Sequence, residues 1–187
     1  MKRSCTFLLL SLLFSTAACS SPPVKNTQYH ALTAEHVAQF SLSPVATLRI
    51  PTEDLSGVKV IGGQGLTFIY PNGSNLYFQS VMARSMGFPD ANLHDWPLYL
   101  FGLKSGEGSS DAFVQEAMKS KRYVVDEEIA PTEIRVFPTR NGKGYWALGP
   151  KKSLIVLTDE NDTSQLILIN VSGMSETRIK DIIKGVI

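Results

Sequence analysis

Few side chains in this sequence have the types and spacing that chemistry needs, and the nearest pairing among them is His94-Asp95, followed by Trp96. A histidine oriented by a carboxylate can act as a general base or hold a metal. Adjacent residues point apart, however, and His30 and His36 lie far upstream, so a polar loop with Trp96 packed beneath it is the plainer expectation. Asp159-Glu160-Asn161-Asp162-Thr163 gathers three carboxylates without the spacing or the glycine of a calcium loop, and reads as a hairpin turn. Gly62-Gly63-Gln64-Gly65 lacks the Lys-Ser/Thr and the helix that a phosphate loop requires, and is expected to be a turn. Gly106-Glu107-Gly108-Ser109-Ser110-Asp111 precedes a helical pattern. An anion at that helix start would be repelled by Glu107 and Asp111, and capping accounts for the Ser and Asp. The basic groups Lys119-Lys121-Arg122 and Lys143-Lys151-Lys152 read as ordinary wet faces. No catalytic residue, metal or cofactor is expected.

A binding role has a better candidate. Phe88, Trp96, Tyr99 and Phe101 lie in an irregular stretch among glycines and prolines, and an aromatic-rich loop on a rigid sheet is a common way to build an interaction surface. The competing expectation is that these rings roof the core.

The N-terminus carries an address. Lys2 and Arg3 precede the apolar run Phe7-Leu8-Leu9-Leu10-Ser11-Leu12-Leu13-Phe14, then Ser15-Thr16-Ala17-Ala18-Cys19. A basic start, a short apolar run and small residues at the cut make a secretory signal. The run is too short to span a bilayer, which takes about 20 residues. Ending on Ala18-Cys19, the segment resembles the lipobox of bacterial lipoprotein precursors, with Thr16 where Leu is more usual. The resemblance implies cleavage after residue 18, a lipid on Cys19, and a domain held in the cell envelope through that lipid. Two or three acyl chains make a lasting anchor, each buried methylene contributing ~0.8 kcal/mol. Ser20, rather than Asp, follows Cys19, which by the same resemblance points to the outer membrane, facing the periplasm.

Composition narrows the rest. Removing residues 1–18 leaves 169 of 187, enough for a single domain with a real core. Lys2 and Arg3 leave with the signal, bringing the 18 basic residues to 16 against 17 acidic ones. A near-neutral domain has no general attraction to nucleic acid. Of the two cysteines Cys5 is discarded and Cys19 lipidated, so packing alone must hold the domain, and a thiol nucleophile is excluded.

The elements that would position these side chains follow from period and punctuation. Residues 19–32 read as the lipidated end and a flexible tether, and 33–187 as one globular domain. A short helix is expected at 33–40 with Thr33 as its cap and Glu35 in its first turn. Val45–Ile50, Val58–Ile61, Leu66–Tyr70 and Leu76–Met82 read as strands, the last two joined by Pro71-Asn72-Gly73-Ser74. Within them Asn75-Leu76-Tyr77-Phe78-Gln79-Ser80 resembles the cleavage site of the tobacco etch virus protease, with Ser74 where that enzyme prefers Glu. A helix is expected at about 111–121, capped by Ser110 or Asp111. Glu133–Phe137, Gly144–Leu148, Leu154–Thr158 and Leu166–Val171 suggest a four-stranded antiparallel meander, the last two strands apolar enough to be covered on both faces. A closing helix capped by Ser175 sets Ile179, Ile182, Ile183 and Val186 on one stripe.

The expected fold class is α+β: a mainly antiparallel sheet with a C-terminal helix and one or two further helices packed on it. The expected function is a membrane-anchored, non-enzymatic binding or interaction module of the cell envelope with a protein partner, of which an immunity-type inhibitor is one form. The alternatives are a hydrolase of cell wall or lipid, built on His94, Asp95 and a loop serine, and a structural subunit of an envelope complex.

Overall fold

The computed structural model describes residues 21–30, 36–43 and 46–186. The expected signal segment, Cys19 and the expected cap Thr33 lie outside the described residues.

The centre is the expected meander. β7 (Glu133–Pro138), β8 (Lys143–Leu148), β9 (Lys152–Asp159) and β10 (Asp162–Ser172) pair antiparallel in sequence order. β6 (Asn75–Met82), β5 (Leu66–Ile69) and β4 (Lys59–Gly62) extend the sheet beyond β10, and β1 (Val24–Asn26) pairs parallel to β7 at the other edge. The fold is therefore α+β, with an eight-stranded mixed sheet and helices packed on it, including the C-terminal one.

Strand alternation explains why the central strands are apolar at every position. Leu154 and Val156 of β9, with Tyr145 and Ala147 of β8 and Leu166 of β10, face one layer. Ile155, Leu157, Trp146, Ile167 and Ile169 face the other. Each face needs a cover of its own. The first is roofed by α1 (Trp96–Leu100), α2 (Ala112–Ser120) and a wide-turned π-helical segment (Lys121–Ile129) that continues α2 without a break. The second is covered by the hairpin of β2 (Val37–Ser43) and β3 (Ala46–Pro51), and by α3 (Glu176–Lys184), which buries Ile179, Ile182 and Ile183. The caps are those expected, with Asp111 accepting from the Phe113 N–H and Ser175 from the Arg178 N–H. Among the described residues no helix is long and apolar enough to cross a membrane.

Two expectations are corrected. The helix expected at 33–40 is not formed over its described part: Val37–Ser43 is strand β2, paired with β3 in the register Phe40↔Leu48. Phe40 packs edge-on against Phe68 at 4.8 Å, so a tertiary contact overrides a weak local helical signal. The expected tether also shortens, because Val24–Asn26 adds to the sheet. The Ile134 N–H donates to the Pro23 carbonyl and the Thr27 N–H to that of Val136, both at 2.8 Å. A three-residue edge strand with exposed side chains has no period to read and keeps the composition of a linker.

The anchoring of β1 is more than backbone. Lys25 reaches Glu133 at 2.5 Å, and Tyr29 packs edge-on against Phe137 at 5.0 Å. Glu133 also pairs with Arg135, which meets Glu176 of α3 at 2.7 Å and lays its guanidinium 4.7 Å from the centre of the Trp146 ring. The N-terminal strand, the meander and the C-terminal helix are thus tied by one ionic cluster.

Candidate functional site

The aromatic loop does not supply a surface. Trp96 and Tyr99 of α1 and Phe101, which ends it, are buried at 6, 8 and 3 % exposure. Trp96 meets the ring of Phe113, and Phe101 stacks on Tyr145. The expectation that these four rings form an interaction surface is corrected for these three: they close the helical side of the core, as their large apolar area favours. Phe88 alone is half-exposed. It packs on Phe113 at 5.6 Å beside a shallow recess edged by Asp90, Asp95 and Asp111. The large apolar side chains that remain exposed include Val60, Ile61 and Ile69, at the β4–β5 corner of the sheet.

His94 and Asp95 do not converge on each other. The ring Nε2 of His94 lies 2.7 Å from the carbonyl oxygen of Asp159, tying this loop to the β9–β10 turn, while Asp95 faces Lys104 at 3.9 Å. Among the described residues the His94 ring makes no hydrogen bond to a hydroxyl. The carboxylates of the β9–β10 turn serve the turn itself. Asp159 accepts from the Asn161 backbone and side chain. Asp162 accepts from the Ser164 N–H and hydroxyl and from the Gln165 amide, and organises the register shift before Leu166. Those donors, the Ser164 hydroxyl foremost, hold the Asp162 carboxyl below its ordinary range, with the His94 ring adding to the effect. Among the described residues no group of three or more His, Cys, Asp or Glu side chains could hold a metal ion.

The glycine run is a turn, closed by a Gly63 N–H to Gly65 carbonyl bond of 2.9 Å. Gly65 presses so closely on β6 that an added Cβ would lie 2.6 Å from the Phe78 carbonyl oxygen, so its place is set by backbone approach and not by a ligand. The small basic groups are largely paired, Lys121 with Asp126 at 2.6 Å and Lys152 with Glu128 at 2.5 Å.

A recess that sequence reasoning missed opens at the far end of the meander, between the sheet and its hairpin-and-helix cover. It is about 300 Å³ in volume. Phe78, Leu157 and Ile167 form its floor, on β6, β9 and β10. Thr47 and Arg49 of β3 and Gly185 and Val186 after α3 make one wall, and Thr139-Arg140-Asn141, the β7–β8 turn, makes another. Gly185 seats this wall. Its carbonyl accepts the Arg49 N–H at 2.9 Å, and an added Cβ there would lie 2.2 Å from the Arg49 carbonyl oxygen.

The polar groups of the recess divide into committed and uncommitted sets. Gln165 is spent at both ends, accepting from Ser80 at 3.0 Å and donating to Asp162 at 2.8 Å. Thr158 exchanges hydrogen bonds with the Lys143 backbone, and Asp159 is held in its turn. Among the described residues Arg49 and Arg140 make no salt bridge, and Thr139 and Asn141 no side-chain hydrogen bond. What the residues around the recess offer is therefore mostly donors, foremost the guanidinium groups of Arg49 and Arg140, which stay charged at any physiological pH.

No family model, no curated protein and no solved structure matches the chain.

Proposed function

We propose that this protein is a lipoprotein of the bacterial cell envelope whose domain works as a non-enzymatic binding module, with the recess between β3, the β7–β8 turn and the end of α3 as its binding site. The observation that carries the binding reading is the donor set around that recess, beside which Gln165 and Thr158 are already bonded within the fold. Concave sites of this kind, with an apolar floor and a few directed polar groups, are where small ligands and partner side chains bind. The lipid on Cys19 holds the domain to the membrane, and four residues separate that anchor from Val24, the first residue of β1. Fully extended, the five steps from Cys19 to Val24 span about 18 Å. The β1 edge of the sheet thus stands near the bilayer on the periplasmic side, at the outer membrane.

The test is recovery of the protein from its own envelope with mass spectrometry of both the bait and what accompanies it. A diacylated peptide beginning at Cys19 and one envelope component enriched near stoichiometry are expected. That component should be lost when Arg49 and Arg140 are both replaced by glutamine and kept in His94→Ala. An unmodified Cys19 in a protein found in the soluble fraction refutes the anchor. Capture that depends on His94 and not on the arginines refutes the binding site and restores the hydrolase alternative.

A further inference from the structure

We propose that the recess takes the oxyanion group, carboxylate or phosphate, of a small soluble molecule. This rests on the binding reading above and names its ligand class. Three observations carry it. First, the uncommitted groups are donors on two separate walls: Arg49 on β3, and Arg140 with the Asn141 amide and Thr139 hydroxyl on the β7–β8 turn. Guanidinium groups match the fork geometry of carboxylate and phosphate oxygens better than any other side chain. Second, two guanidinium charges outnumber the one carboxylate of the lining, Asp159, whose Oδ1 accepts from the Asn161 backbone and amide at 2.9 and 3.1 Å. Third, the floor of Phe78, Leu157 and Ile167 lowers the local dielectric beneath the donors and gives an apolar portion of the ligand a place to lie.

The source of the anion follows from strand direction. The chain enters β1 at Pro23, whose carbonyl is bonded to Ile134 at the start of β7. The recess lies past the other end of β7, at Thr139–Asn141. Six residues of strand put about 20 Å between those ends. A lipid on Cys19 would tether the domain through the first of these ends, so the donors lie at the end remote from the point of attachment. That favours a dissolved anion over a headgroup of the same leaflet.

Titration calorimetry on the lipidated protein in discs of neutral phosphatidylcholine tests this, with phenyl phosphate, benzoate, benzyl alcohol and benzylamine as probes. One of the two anions should bind and the alcohol and amine should not. Arg49→Gln and Arg140→Gln should each weaken that binding about tenfold, the loss of one charge-assisted hydrogen bond. The urea midpoint should hold in both variants, since both side chains are exposed, and Arg84→Gln, outside the recess, should change nothing. The proposal is overturned if neither anion binds at millimolar concentration, if benzylamine binds as well as benzoate, or if the double variant binds like the parent. Displacement of phenyl phosphate by phosphatidylglycerol vesicles, but not by phosphatidylcholine ones, overturns the soluble source in favour of a lipid headgroup. An envelope component still captured near stoichiometry, with no anion binding, leaves the module reading standing and removes only this inference.

Discussion

Replacing Arg135 by methionine tests the ionic cluster that joins β1, β7 and α3. The arginine side chain is only 11 % exposed, pairs with Glu133 and Glu176, and covers Trp146, which is fully buried. Removing one partner of a buried pair costs about 3–5 kcal/mol, because the other charge is left stranded. Here the stranding is incomplete. Glu133 keeps Lys25 at 2.5 Å and Glu176 keeps Lys180 at 2.8 Å. That argues for the lower end of the range. Loss of the guanidinium over the Trp146 ring adds back about 0.5–2 kcal/mol, while the methionine stem retains most of the packing. The expected loss at pH 7 is therefore about 3 kcal/mol, read as a fall in the urea midpoint followed by the fluorescence of the two buried tryptophans.

Acid supplies the internal control. The Arg135 hydrogen bond, then that of Lys25, holds the Glu133 carboxyl below the usual glutamate range, and Lys180 followed by Arg135 does the same for Glu176. A carboxyl whose folded pKa is depressed contributes stability that is complete above its unfolded value, about 4.3 for glutamate, and is lost as pH falls through the folded value. The ionic part of the gap between parent and variant should therefore close as pH drops below about 4.3, leaving the part that the guanidinium over Trp146 supplies. Equal midpoints at pH 7, or a gap that stays constant from neutral pH into that acid range, would refute the account.

Three further outcomes are expected. Gly185→Ala drives a methyl group to 2.2 Å from the Arg49 carbonyl oxygen, which the backbone cannot yield cheaply. It should cost about 1–3 kcal/mol in thermal or urea unfolding and weaken anion binding in the recess beside it. Ala130→Gly should raise stability by roughly 0.5–1 kcal/mol in the same assay, since this exposed residue ends the π-helical segment at φ +47°, where an L side chain costs about 1–2 kcal/mol and glycine does not. The native protein should resist the tobacco etch virus protease and be cut only as urea unfolds it. The Gln79–Ser80 bond lies inside β6, with Gln79↔Leu168 and Ser80↔Ile167 paired across to β10. Fast cutting of the folded chain would show that β6 opens locally.

Much of this fold is legible from local patterns. The meander from Glu133 to Val171 declares itself through apolar strands with Asn141-Gly142, Gly149-Pro150 and Asp159–Thr163 between them, and its double burial through runs with no polar alternation. The closing helix follows from Ser175 and an isoleucine stripe. Elements whose identity depends on a neighbour are not legible. β1 is three residues long and exists because β7 offers an edge and Glu133 a carboxylate. β2 reads as weakly helical until Phe40 meets Phe68. The helical path from Ala112 to Ile129 passes beyond the expected end near 121 because Val125 and Ile129 find the sheet beneath them.

Function divides along the same line. The order of residues by itself carries the resemblance of the N-terminus to a lipobox, the lack of a cysteine after Cys19 and the near balance of charge, because each of these is a property of residues in a row or of their sum. Only the tertiary structure decided which side chains share a site. It buried Trp96, Tyr99 and Phe101, which composition alone could not tell from a surface, since a large ring suits a core and an interface equally. It also brought Arg49, Arg140, Leu157 and Gly185 around one recess, although they lie in four separate segments of the chain. A guanidinium on a hairpin strand and another in a tight turn look like ordinary surface until the β2–β3 hairpin packs on the larger sheet and sets both around one recess. Packing over such separations is fixed by the burial of both sheet faces, a property of the whole chain and of no single segment.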